Sequence, residues 1–204
     1  MGKFTPKDRY FRKAKQEGLL SRAAFKLKQL DQKYQLLKAG QRVVDLGAAP
    51  GGWSQVALQA VGPTGQVLGV DLETRLRLEA PGFTYLQGDL EAEDTQARIR
   101  DSLPGPADVV LSDMAPSTSG IKFRDQLRSA ALARQAWAVA RAILKKGGHL
   151  VIKIFPGEEL APLKKELKGH FRRVQEYSPA ATRKTSNELY LVALGFLPSS
   201  LGNA

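Results

Sequence analysis

The sequence predicts an α/β fold, a mostly parallel seven-stranded sheet with an antiparallel last strand and helices on both faces. Three observations carry this reading. From residue 42 onward, short β-branched runs alternate with helical patterns, the mark of a parallel sheet with crossover helices. The first of these runs, Val43-Val44-Asp45-Leu46, passes through the small residues Gly47-Ala48-Ala49-Pro50-Gly51-Gly52 into a helix. The last two strand patterns are separated only by a short link near residues 178–187, so they pair as a hairpin and one of them opposes the rest.

In chain order, Lys7–Glu17 reads as a charged helix that Gly18 breaks. Ser21 is placed to cap a second helix, whose Leu27, Leu30, Tyr34 and Leu37 recur at three- and four-residue spacing and which stops at Gly40. Strands follow at Arg42–Leu46, Gln66–Asp71, Phe83–Gln87, Ala107–Asp113, His149–Phe155, Phe171–Tyr177 and Glu188–Gly195. Helices fall at Gly52–Ala60, Glu91–Leu103, Gln126–Leu144 and Glu158–Leu167. Residues 1–38 thus read as a basic helical extension, 39–197 as the sheet domain, and Pro198–Ala204 as a flexible tail without periodic pattern.

The chain's 204 residues suit one domain, and 43% hydrophobic residues suffice for a real core. No stretch approaches the roughly 18 apolar residues of a membrane span, and the amino terminus lacks a signal pattern, so a cytoplasmic monomer without membrane attachment is expected. With no cysteine, a disulfide framework, a thiolate metal site and a cysteine nucleophile are excluded, and no metal is expected. The net charge of +11 is segregated. Residues 1–38 carry eleven Lys/Arg against three acids, 39–121 five against eleven, and 122–204 fifteen against six. An acidic centre between basic arms suggests a ligand site surrounded by surfaces that grip a polyanion.

The turn after the first strand lets the backbone approach a ligand at Gly47, Gly51 and Gly52. Its spacing fits neither the dinucleotide fingerprint nor a phosphate-binding P-loop. Asp71 ends the second strand, placed as an acid that accepts hydrogen bonds from ribose hydroxyls, Asp89 follows the third, and Asp113 closes the fourth. All three share the carboxyl edge of the sheet, where open parallel sheets bind ligands.

The runs Asp45-Leu46-Gly47-Ala48-Ala49-Pro50-Gly51-Gly52-Trp53-Ser54-Gln55 and Ser112-Asp113-Met114-Ala115-Pro116 resemble the FtsJ/RrmJ (RlmE) family of S-adenosylmethionine-dependent ribosomal RNA 2′-O-methyltransferases. So do Ser21-Arg22-Ala23-Ala24-Phe25-Lys26-Leu27, Val151-Ile152-Lys153-Ile154-Phe155 and Asn187-Glu188-Leu189-Tyr190. The resemblance spans about residues 10–195, in order. It implies a Rossmann-like methyltransferase fold, S-adenosyl-L-methionine as cofactor, and a catalytic Lys-Asp-Lys-Glu tetrad on Lys26, Asp113, Lys153 and Glu188. It also implies cofactor contacts at Gly51, Trp53, Asp71, Asp89 and Asp113. The implied substrate is a uridine in the A-loop of 23S rRNA in the large ribosomal subunit. The chain departs from the family pattern at Ala24, where an aromatic residue is common, and at Asn187, where arginine is.

Topology bears on three of the four. Asp113 and Lys153 close parallel strands and Glu188 opens the reversed one, so all three meet at one edge. Lys153 also interrupts the apolar run Leu150–Phe155, where a buried strand normally stays apolar. Methyl transfer from a sulfonium to an alcohol is an in-line displacement that needs an aligned hydroxyl and a destination for its proton. Two roles stand for Lys153, a neutral base or a cation that orients the hydroxyl and stabilises developing alkoxide charge; the resemblance inclines to the base.

Methylation at C5 of pyrimidines needs a cysteine nucleophile, and amino-group methylation goes with an Asn/Asp-Pro-Pro-aromatic turn that is absent here. A 2′-O-methyltransferase of tRNA and a non-catalytic RNA-binding ribosome-assembly factor remain as alternatives. RNA phosphates are assigned to Arg9, Arg12, Lys13, Lys15, Arg22, Arg183 and Lys184. Tyr10 or Phe11 could stack a base, and Phe11 could equally belong to the core.

Overall fold

The computed structural model describes residues 9–74, 76–183 and 186–198. Its elements are α1 (Arg9–Gln16), α2 (Ala24–Tyr34), β1 (Arg42–Leu46), α3 (Gly52–Val61), β2 (Gln66–Asp71), β3 (Phe83–Gln87), α4 (Glu93–Asp101), β4 (Ala107–Ser112), α5 (Lys122–Ile143), β5 (Leu144–Ile154), α6 (Leu160–His170), β6 (Phe171–Tyr177) and β7 (Leu189–Phe196). The strands stand in the order β3-β2-β1-β4-β5-β7-β6. Neighbours from β3 to β5 pair in parallel, and β7 runs antiparallel to both β5 and β6, so β7 alone is reversed.

Burial on both faces explains why β4 reads as an almost unbroken apolar run: every one of its residues is buried. Alternate residues of the central strands feed two cores. Val44, Leu46, Val110, Ile152 and Ile154 pack under α4, α5 and α6. Val43, Val109, Leu111, Val151, Tyr190 and Val192 pack under α1, α2 and α3. Ala14, Leu19, Phe25, Leu27, Leu30 and Leu36 belong to this second core, so the described part of the basic segment 1–38 is a wall of the sheet domain.

Several boundaries differ from the sequence reading. Ser21 makes no cap; backbone turns deliver the chain into α2, with Ala24 N–H donating to the Ser21 carbonyl, and Ala23 in the cap position. The helix stops at Tyr34, six residues before Gly40, because Gln35 turns left-handed at φ 53°, and Leu36 and Leu37 reach the core as an extended segment. α5 begins at Lys122 rather than Gln126 because the Asp125 carboxylate organises the loop before it. That carboxylate accepts hydrogen bonds from Ser119 N–H (2.8 Å), Ser119 Oγ (2.8 Å) and Gly120 N–H (3.2 Å). β5 starts directly after α5 and carries an irregularity before His149, with Gly147 at φ 81°.

Candidate active site

The carboxyl edge of the sheet gathers the site. Leaving β1, the chain turns at Gly47, whose φ of 79° is open to glycine; a Cβ there would lie 2.5 Å from Met114 Cγ. Gly47, Ala49, Asp71, Gly88, Asp89, Leu90, Asp113, Met114 and Leu132 line a cleft of about 280 Å³. Asp71 is locked at its rim, accepting from Ala49 N–H at 2.9 Å and Glu73 N–H at 3.0 Å. Asp89 accepts from Glu91 N–H at 2.9 Å. Each carboxylate keeps further lone pairs for ligand hydroxyls.

Gly51, Gly52 and Trp53 lie outside that lining. Gly51, at φ 107°, leaves room for Leu20 and Leu78, and Gly52 for Ser21, whose side chain a Cβ would strike. Trp53 is buried against the Tyr190 ring, centroids 5.6 Å apart, and its indole N–H donates to the Ala23 carbonyl at 2.9 Å. These three residues fasten the α2 segment to the turn.

Lys26, Asp113, Lys153 and Glu188 converge beside the cleft. Lys153 Nζ donates to Asp113 Oδ1 at 2.9 Å and to the Asp113 carbonyl. Lys26 Nζ lies 2.5 Å from Glu188 Oε1 and 3.7 Å from Asp113 Oδ1. All four side chains are nearly buried, between 4% and 14% exposed. Such burial is tolerable because two ammonium groups face two carboxylates and further donors complete them. Burial alone would raise the Asp113 pKa, but Lys153, Lys26 and the Tyr190 hydroxyl hold it below the ordinary 3.8.

Tyr190 is the member of this group that sequence reasoning left without a role. It stands opposite Lys153 in the β5–β7 ladder and donates its hydroxyl to Asp113 Oδ1 at 2.7 Å. Burial, then the charges of Asp113 and Glu188, push its pKa well above 10, so it stays a donor. An aromatic residue in an apolar strand reads as core, and only the partner at the tip reveals more.

A second cleft, of about 420 Å³, has Lys26 and Glu188 of the four in its lining. Arg22, Lys26, Lys122, Asp125, Gln126, Phe155, Arg183 and Glu188 are among its walls. The tetrad thus joins two clefts, with Asp113 lining the first, Lys26 and Glu188 the second, and Lys153 buried behind Asp113 in the lining of neither. Arg22 and Arg183 reach the second cleft, and Arg22 also donates to the Ala181 carbonyl. Arg9, Arg12, Lys13 and Lys15 are exposed on α1, with Lys13 3.6 Å from Glu17. Lys184 lies outside the described residues. Phe11 is 44% exposed rather than core, and Tyr10 packs on the Phe25 ring at 5.4 Å.

Beneath the glycine turn, Asp45 is fully buried. Its Oδ2 accepts from Ser54 Oγ at 2.6 Å, and its Oδ1 has no partner among the described residues. Burial, reinforced by the charges of Asp113 and Asp71 against the opposing Ser54 bond, raises its pKa from 3.8 to about 7. Between these values the folded chain keeps a proton that the unfolded chain has released, so this group's stabilisation falls as pH rises from about 4 to about 7. Asp45→Asn should remove that slope. Relative to the variant, the wild-type chain should lose up to about 4 kcal/mol between pH 4 and pH 8 in urea unfolding, and parallel curves would contradict this.

The family model described as "FtsJ-like methyltransferase" matches residues 19–196. The chain is 47% identical over 187 residues to the Ribosomal RNA large subunit methyltransferase E of Halobacterium salinarum, covering 91% of this chain and 72% of that one. It is 47% identical over 191 residues to the protein of the same name from Syntrophobacter fumaroxidans, covering 94% and 96%. Among solved structures, a putative ribosomal RNA methyltransferase from Plasmodium falciparum superposes with a TM-score of 0.76 at 30% identity, over 87% of this chain and 98% of that one. The MycE methyltransferase of mycinamycin biosynthesis, solved with Mg and SAH, shares the fold at TM-score 0.58 and 18% identity, over 91% of this chain and 51% of that one.

Proposed function

We propose, on the premise that this chain belongs to the FtsJ-like methyltransferase family, that it methylates a ribose 2′-hydroxyl in large-subunit ribosomal RNA, a uridine of the A-loop, with Lys153 as base. The family's methyl donor is S-adenosylmethionine, and the first cleft suits it. Gly47 and Gly88 keep its walls thin, Asp71 and Asp89 offer acceptors for ribose hydroxyls, and Leu90 and Leu132 offer an apolar surface for a base. When bound, the cofactor supplies an electrophilic methyl group on a sulfonium centre.

The observation that carries the reading is the tetrad joining two clefts. An acceptor ribose in the second cleft would meet Lys26 and Glu188 from its own side and the methyl donor beyond Asp113. Once its ammonium has released a proton to solvent, Lys153 has two N–H donors and one lone pair. Its two hydrogen bonds to Asp113 use the donors and leave the lone pair for the hydroxyl proton. Asp113, held in place by Tyr190, orients that nitrogen. Lys26, steered by Glu188, which accepts from Thr182 Oγ1 at 3.3 Å, places a cation where alkoxide charge develops. The four intact positions weigh against a non-catalytic assembly factor. The relatives' shared name favours ribosomal RNA over tRNA.

Among the described residues no helix is long and apolar enough to cross a membrane, in keeping with action on ribosomes in the cytoplasm. The test compares 2′-O-methylnucleotides, by mass spectrometry, in ribosomal RNA and tRNA from cells with and without the gene. One large-subunit uridine should lose its methyl group. A loss confined to tRNA would overturn the substrate, and unchanged maps would overturn the reading.

A further inference from the structure

We propose that the first two turns of α5 bind the single-stranded RNA segment beside the methylated nucleotide, with Phe123 as a stacking platform; this rests on the function proposed above. Positions 122/126, 123/127 and 124/128 form three neighbouring pairs at i, i+4 spacing around the helix. Lys122 and Gln126 line the second cleft. Next to them, Phe123 and Leu127 are 58% and 46% exposed, and Ile121, just before the helix, is 54% exposed. Beyond these stand Arg124 and Arg128, both exposed.

The surface is built against two physical preferences. Large apolar side chains cluster in water, and Lys122 and Arg124 stand in the first turn of a helix whose dipole disfavours them, with Arg128 one turn on. One partner relieves both, a polyanion carrying flat apolar faces. Unpaired RNA offers bases for stacking, whereas a duplex hides them. The patch is continuous with the cleft that takes the acceptor ribose. A nucleotide leaving that cleft would lay its base on Phe123 and Leu127 and bring its phosphates to Arg124 and Arg128. Asp125, in the wall of the second cleft, ties the start of the helix to Ser119 and Gly120, so the platform is held in place.

The test measures binding of a short fluorescein-labelled oligouridylate by anisotropy, and methylation kinetics on large subunits from cells lacking the gene. Phe123→Ala should raise the oligonucleotide Kd and the KM for subunits about tenfold while kcat is largely kept, the loss of one base–aromatic stack. Phe123→Tyr should restore both. Arg124→Ala with Arg128→Ala should lower the slope of log K against log salt by up to about 1.4, about 0.7 for each phosphate that is no longer neutralised. Leu197→Ala, which trims an exposed apolar residue at the far edge of the sheet, serves as the control and should change neither. Unchanged oligonucleotide binding in Phe123→Ala overturns the proposal. So does a defect on subunits alone, which would assign the patch to a ribosomal protein. If the wild-type chain methylates no ribose, the function proposed above falls, and the oligonucleotide measurement still decides the platform.

Discussion

Lys153→Arg should lower the single-turnover rate of methyl transfer by about three orders of magnitude, within the span attributed to general bases. The substitution keeps the charge and a hydrogen-bonding partner for Asp113, so the fold and cofactor affinity should survive. What it removes is the ability to hold a free lone pair, because a guanidinium does not deprotonate in proteins. Lys153 stands 5% exposed on β5 with its nitrogen at Asp113, where an arginine would supply donors but no lone pair. Turnover within a few-fold of wild type would assign Lys153 to charge stabilisation, the second role open to it.

Asp113→Ala should damage both stability and activity. Its carboxylate accepts from Lys153 and Tyr190 and faces Lys26 at 3.7 Å, so removing it strands the buried Lys153 and a buried hydroxyl and leaves Lys26 to Glu188 alone. Breaking one partner of such a cluster costs about 3–5 kcal/mol, and a shift of this size should appear in the urea midpoint at constant m-value. Because its pKa is held below 3.8, the stabilisation is complete above the ordinary carboxylate range and is lost as pH falls through the lowered value. The deficit of the variant should therefore be largest near neutral pH and shrink in acid. Asp113→Asn should lose less stability and still fall about a hundredfold in rate, since it cannot counter both lysines. An Asp113→Ala chain within about 0.5 kcal/mol of wild type would contradict the cluster's energetics, as surface substitutions commonly fall in that range.

The parts of the site that strands deliver could be read from the sequence. Asp113 and Lys153 close parallel strands and Glu188 precedes the reversed strand β7, and strand direction alone brings them to one edge. Lys26 could not be placed this way. It comes from α2, and its position follows from Leu27 and Leu30 entering the core and from Trp53 holding Ala23, contacts between segments some thirty residues apart. Gly52 shows a packing demand that the sequence does not display, since its bare backbone makes space for Ser21. Phe123 lies before the helix that the sequence predicts from Gln126, so only the packed fold shows it on one helix face with Leu127, both in solvent.

The most direct test of the central claim is to incubate the purified chain with methyl-labelled S-adenosylmethionine and unmodified large subunits, then locate the label after nuclease digestion. The tetrad joining its two clefts predicts label on the 2′-oxygen of a single uridine, lost in Lys153→Arg. Label on a base or on protein, or ribose label undiminished in that variant, would contradict it.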